Sequence, residues 1–150
     1  MDKLHSIYEK ILEKGYKLTD HRKIILKVLM ENKDYLLEPS TLFEKVLKIN
    51  KDINFSTIYR NLEIFLNIGV VRKINLENGK SSYQIICEAD HKHSMICKKC
   101  GRVEALNTCP FEKIDMAVFE KRGFLPESHK FEIYGLCKEC LSNRRINTKS

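Results

Sequence analysis

Four of the six cysteines stand as two pairs, Cys97-Lys98-Lys99-Cys100 and Cys137-Lys138-Glu139-Cys140. A two-residue gap lets both sulfurs of a pair turn toward one ion. Four thiolates fill the tetrahedral shell of Zn2+ and leave no open position, so a site of this kind holds structure and does no chemistry. Gly101 follows the first pair and Gly135 precedes the second, where tight turns would use them. The lysines at 98, 99 and 138 would offset part of the negative charge of a zinc tetrathiolate. Two other readings of the pairs stay open, redox thiols or two unrelated pairs. A redox pair of the thioredoxin kind sits between a strand and a helix in a larger βαβ fold, which this sequence does not show.

A second constellation is built from histidine and glutamate. His91 and His93 are two apart, so on a strand they point to one face. Glu112 lies in the first turn of an expected helix, where a carboxylate is favoured. His129 precedes the last expected strand. Three imidazoles and a carboxylate make a site for a second divalent ion, Zn2+ or Fe2+. Spacing alone leaves the other reading open, since scattered His and Glu on a small surface are usually just solvated. Cys109 has no assigned role; it is read as a buried thiol or an occasional metal ligand.

These residues need a scaffold, and the periodicity supplies one. Residues 2–14 have helical spacing through Leu4, Ile7, Tyr8, Ile11 and Leu12. Thr19 caps a second helix with Ile24, Ile25, Val28 and Leu29 inward. Pro39 and Ser40 open a third with Leu42, Phe43, Val46 and Leu47. Asn54 or Ser56 caps a fourth carrying Ile58, Leu62, Phe65 and Leu66, which Gly69 ends. The period then shortens to two strands, VVRKINL and SSYQII, around Asn78-Gly79, a hairpin signal. Helices followed by a hairpin within 1–86 are the order of a winged helix-turn-helix, with the third and fourth helices as the motif and the hairpin as the wing.

Residues 87–90 read as a hinge. Residues 91–141 read as a small α/β domain: a strand into Cys97, a strand at Arg102–Leu106, a helix from Pro110 to Arg122 and a strand around Lys130–Tyr134. Pro at the first helical position and Gly123 after the last turn mark that helix. Residues 142–150 are polar and read as a frayed tail. The fold class expected is α+β, a winged-helix domain plus a small dimerisation domain with a four-cysteine zinc site.

The formal charge is +7, with 43% hydrophobic and 31% charged residues. That composition belongs to folded proteins rather than disordered ones. The basic excess is spread over both halves, +4 in residues 1–85 and +3 in 86–150. It fits nucleic-acid binding and equally a plain basic protein. No apolar run reaches the length of a membrane span, and the N-terminus lacks the pattern of a secretory signal. A cytoplasmic address is expected, where thiols stay reduced and paired cysteines more often bind metal.

The segments GYKLTDHR, FSTIYRNLEIFLNIGVV, HKHSMICKKCG and SHKFEIYGLCKEC together resemble the ferric uptake regulator (Fur) family of metal-dependent bacterial repressors, over Tyr16 to Cys140. Cys87 with the later TCPFE looks most like the zinc-responsive Zur branch. The resemblance implies a homodimer that closes on a palindromic operator in double-stranded DNA when metal is bound, repressing metal-uptake genes. It implies a recognition helix holding Ser56, Thr57, Tyr59, Arg60 and Asn61, with Arg60 on guanine and Tyr59 on a thymine methyl. It also implies that Lys17, Arg22 and Lys23 would sit near phosphates. Both Cys pairs match the family pattern, and His91, His93, Glu112 and His129 fall on the spacing of the family's regulatory site. The family's hinge site departs here: two of its histidine places hold Lys92 and Ser94, leaving Glu38 and Cys87 as candidates for a slipped version. Two rival functions are a peroxide sensor of the same family, working through iron, and a zinc hydrolase. The second lacks HExxH or any other catalytic motif.

Overall fold

The computed structural model describes residues 2–76, 79–87 and 93–147, and the backbone alone at 145–147. The chain divides into two compact units, Met1–Ala89 and Asp90–Ser150.

The first unit has four helices, α1 (Lys3–Glu13), α2 (Asp20–Glu31), α3 (Pro39–Leu47) and α4 (Phe55–Asn67), then strands β1 (Val71–Asn75) and β2 (Ser81–Ile85). Each helix starts where local chemistry satisfies its free N–H groups. Asp2 and Thr19 cap α1 and α2 through side-chain oxygens, and Pro39 opens α3. Asn54 caps α4. Gly69, with φ +73°, lets the chain leave α4 in a left-handed turn. One face of every helix joins a single core of Ile7, Ile11, Ile25, Leu29, Leu42, Val46, Ile58, Leu62 and Phe65. Burying side chains of this kind stabilises by about 1.5–3 kcal/mol each. Leu12 of the expected α1 face is instead exposed.

β1 and β2 pair antiparallel, from Val71↔Ile85 to Asn75↔Ser81. Their connection contains Gly79 at φ +74°; Asn78 of the expected turn lies outside the described residues. Leu37 and Tyr83 exchange two backbone hydrogen bonds of 2.8 Å, which fasten the hairpin to the chain entering α3.

The second unit is a three-stranded sheet of order β4-β3-β5, from β3 (His93–Cys97), β4 (Val103–Leu106) and β5 (Glu132–Gly135). β3 runs antiparallel to β4 and parallel to β5. Two expectations need correction. The helix expected from Pro110 to Arg122 is a 3-10 turn (Pro110–Lys113) and a separate short helix, α5 (Ala117–Glu120). Between them Ile114 is extended and Asp115 caps the restart through Ala117 N. No residue of either piece is buried, and a helix without a buried face has little to hold it through a competing cap. The expected tail is helical as far as Asn147, in α6 (Lys138–Asn147). Cys140, buried in its first turn, anchors that helix. Residues 148–150 lie outside the described residues.

Candidate metal centres and nucleic-acid face

β3 carries a group of potential metal ligands at each end. At its C-terminal end, Cys97 is in register with Gly135 of the parallel β5. Lys98 N donates to Gly135 O at 2.9 Å, so the turn after β3 and the chain after β5 leave the sheet side by side. Gly101, at φ +75°, closes the first knuckle, and its N–H donates to Cys97 O at 3.0 Å. Gly135 needs no such conformation; it is an ordinary strand residue. Cys137 precedes α6, and Cys140 lies in the first turn. The four sulfurs of Cys97, Cys100, Cys137 and Cys140 lie within 4.8 Å of one another. Cys100 and Cys137 are 3.8 Å apart, and the edge of a tetrahedron with Zn–S bonds of about 2.3 Å is about 3.8 Å.

Electrostatics within the four are uneven. Burial pushes the Cys97 thiol up, but the backbone N–H groups of Cys100, Cys137 and Lys99 outweigh it and bring it down to about 6. Hydrogen bonding to the Cys137 thiol, followed by burial, pushes Cys140 up to about 12. Burial raises Cys100 as well.

At the other end of β3, His93 pairs with Leu106 of β4, so Cys109, just past β4, returns beside it. Ser94 pairs with Glu132 of β5, so His129, just before β5, arrives at the same end. His93 Nε2 and Cys109 Sγ are 3.2 Å apart, Cys109 Sγ and His129 Nε2 3.3 Å, and the two Nε2 atoms 3.3 Å. His93 and Cys109 are buried and His129 half-buried. Aromatic rings wall the triangle: Phe111 stacks on His129 at 4.4 Å with a 13° interplanar angle, and Phe131 meets His93 edge-on at 5.8 Å.

Of the four residues expected at this site, the structure brings together His93 and His129. Glu112 sits exposed on the 3-10 turn and is not in the group. His91 lies outside the described residues. Cys109, read from the sequence as a buried thiol or an occasional metal ligand, is the third member. Its signal was indirect: only the pairing of β3 with β4 and β5 shows that residues 93, 109 and 129 share a sheet end.

The hinge candidates are held elsewhere. Glu38 pairs with Lys80 at 3.5 Å, and Cys87 Sγ lies 3.6 Å from Met30 Sδ against the first unit's core. Among the described residues, no group of three or more ligating side chains includes either.

In the first unit, α4 exposes Tyr59 and Arg60. Phe55 braces Tyr59, with ring centroids 5.1 Å apart, and Phe43 braces Phe55 at 5.3 Å. Ser56 and Thr57 both donate their hydroxyls to Asn54 Oδ1, at 2.7 and 2.8 Å, so they finish the cap of α4. Asn61 corrects an expectation: it is only 7% exposed, donates to Thr57 O at 2.8 Å and accepts from Arg22 Nε at 3.0 Å. Arg22 also donates to Lys17 O and lies over the Tyr16 ring. Both are therefore engaged inside the unit, while Lys17 is exposed.

The sequence profile of the ferric uptake regulator family matches residues 13–134. The chain belongs to that family. The ferric uptake regulation protein of Staphylococcus epidermidis is 35% identical over 135 residues, covering 87% of this chain and 91% of that protein. The fold matches the Vibrio cholerae ferric uptake regulator with TM-score 0.70 at 26% identity, over 86% of this chain and 98% of that one. It matches the Francisella tularensis ferric uptake regulator, solved with iron, with TM-score 0.68 at 30% identity, over 85% and 96%. Fur proteins are metal-responsive transcription regulators, not enzymes, and the hydrolase reading falls with that assignment.

Proposed function

We propose that this protein is a metal-dependent transcriptional repressor that closes, as a homodimer in the cytoplasm, on a palindromic operator controlling zinc- or iron-uptake genes. One observation carries the reading most: among the described residues, the second unit holds two separate groups of side chains able to hold a metal ion, one at each end of β3. The tetrathiolate closes its own shell and serves the fold. The group at His93 and His129 then serves as the sensor, with His91 a further candidate ligand.

Other residues support the remaining parts. Tyr59 and Arg60 project from a capped, braced helix, the arrangement that reads base edges in a major groove. Lys17 supplies an exposed cation for a phosphate. Met95 of β3 and Ile133 of β5 pair side by side in the sheet and are exposed, which suits a face covered by a second copy. No helix among the described residues is long and apolar enough to cross a membrane.

Filling the sensor site would fix His93, the first residue of β3. In a dimer this narrows the spacings between the two α4 helices toward those that fit successive turns of DNA, about 34 Å apart. Metal acts by population shift, limited by its preference for the closed form. The test is selection of duplexes from a random library by the full chain, after mild chelation and with zinc, ferrous iron or manganese restored. Enrichment of one palindrome by one metal is expected. Equal enrichment with and without every metal would overturn the reading.

A further inference from the structure

We propose that Cys109 is a direct ligand of the sensor metal, taking the place in the shell that Glu112 was expected to fill, and that its sulfur makes the site select zinc over ferrous iron and manganese. The inference rests on the reading of that site as a metal sensor and adds the identity of a ligand and of the metal.

Three donor atoms at 3.2, 3.3 and 3.3 Å form a nearly equilateral triangle. One face of a tetrahedron with Zn–N bonds of about 2.0–2.1 Å and a Zn–S bond of about 2.3 Å has edges of about 3.3–3.6 Å. The three atoms thus already stand within a few tenths of an ångström of a zinc-sized face. Each ring offers Nε2, so ligation requires that the proton of each neutral imidazole sit on Nδ1.

Cys109 is extended, at φ −93° and ψ 111°, immediately before Pro110. That conformation is favoured by the proline that follows, and here the thiol is turned inward. Glu112, three residues on, stays on the exposed side of the 3-10 turn. A carboxylate in water keeps its hydration, whereas a buried thiol beside two imidazoles has little solvation to lose when it ionises onto a cation. Phe111 and Phe131 flank the imidazoles, an apolar wall that strengthens charge interactions inside.

Chemistry then sets the metal. Two imidazoles and a thiolate suit zinc, while oxygen-rich shells suit manganese, and iron takes carboxylates readily. The natural order places zinc above ferrous iron and manganese at such donors, and replacing a carboxylate by sulfur widens the gap.

Cobalt(II) tests the ligand directly, because thiolate bound to it gives a near-ultraviolet charge-transfer band. Cobalt is added to the full chain with zinc kept in the tetrathiolate site, verified by metal analysis. The parent is expected to show the band, and Cys109→Ser to lose it while retaining zinc and the parent's circular dichroism. Competition with a chelator is expected to show Cys109→Ser binding sensor zinc more than about tenfold more weakly, since even partners outside the shell are worth 10–100-fold. Cys109→Asp is expected to narrow the preference for zinc over manganese. A band of parent strength in Cys109→Ser overturns the proposal, as does its loss in Cys87→Ser with Cys109 in place. Should His129→Ala abolish cobalt binding while Cys109→Ser leaves band and affinity unchanged, the sensor site stands without its sulfur. Should the band behave as expected while duplex selection ignores metal, the ligand stands and the sensor role fails.

Discussion

Arg22 of α2 and Asn61 of α4 are joined by a hydrogen bond of 3.0 Å from Nε to Oδ1. Asn61 spends its amide on Thr57 O, one turn back along α4. Arg22 spends its remaining reach on Lys17 O and the Tyr16 ring. The pair ties α4 to the segment that carries exposed Lys17, so these two residues, expected to touch phosphate and base, are read as a strut between two faces.

Replacing Arg22 with Ala should cost the first unit about 1–3 kcal/mol, because Asn61 Oδ1 stays buried without its donor. Arg22→Lys should not restore it, since a point charge lacks the planar fork. A strut also makes no difference to counterion release. The slope of DNA affinity against salt is therefore expected to match the parent's. A slope shallower by about one would instead identify Arg22 as a phosphate contact.

Arg60 and Lys17 should differ in kind. Arg60→Ala is expected to lose about 1–3 kcal/mol of discrimination at one position in each half-site. Lys17→Ala should weaken all duplexes alike and flatten the salt slope. Binding curves on the selected palindrome and on single-site variants, at several salt concentrations, separate the two. Unchanged discrimination by Arg60→Ala would move base reading away from α4.

The first unit was largely legible because its signals are local. Asn54, Pro39 and Gly69 mark helix ends within a few residues of where they act, and the apolar period names the core face directly. The second unit was legible only where its signals were local too. The Cys pairs carry their own spacing, so the gathering of their four sulfurs could be read from the chain. Pro110 and Gly123 suggested one helix, but Asp115 ends the competition in favour of a break, and the segment buries nothing that would resist it. The partners of Cys109 were illegible for another reason. Cys109 meets His93 and His129 only through the register of β3 with both its neighbours, and no spacing along the chain encodes that. Asn61 likewise looks, by sequence, like the next residue of a reading helix; its burial follows from the helical turn that faces α2.

Cys140→Ser should remove the structural zinc and loosen the second unit, leaving the first folded. Binding energy of about 10–16 kcal/mol is folding energy in small zinc domains, and Cys140 is the anchor of α6. Zinc analysis together with amide exchange across β3, β5 and α6 reports this. A variant with one zinc fewer and unchanged protection in those strands would show the tetrathiolate to be dispensable for the fold.

Phe111 should set the affinity of the sensor site without touching its ligands' identity. Its ring lies nearly parallel to His129, 4.4 Å away, and His129 is the least buried member of the triangle. The 3-10 turn that holds Phe111 starts directly after Cys109, so one short segment supplies a ligand and the wall that orients another. Without the ring, His129 regains rotamer freedom that binding must then remove. An aromatic pair contributes about 0.5–1.5 kcal/mol, and 1.4 kcal/mol is about tenfold in binding. Phe111→Ala is therefore expected to weaken sensor zinc by roughly two- to tenfold, while Phe111→Tyr keeps the stack and the parent affinity. The tetrathiolate zinc, at the far end of β3, should be unaffected in both. Chelator competition resolves the two classes of zinc. Parent affinity in Phe111→Ala would mean that the backbone alone places His129. Equal weakening at both zinc sites would mean instead that the ring supports the whole unit rather than the sensor end.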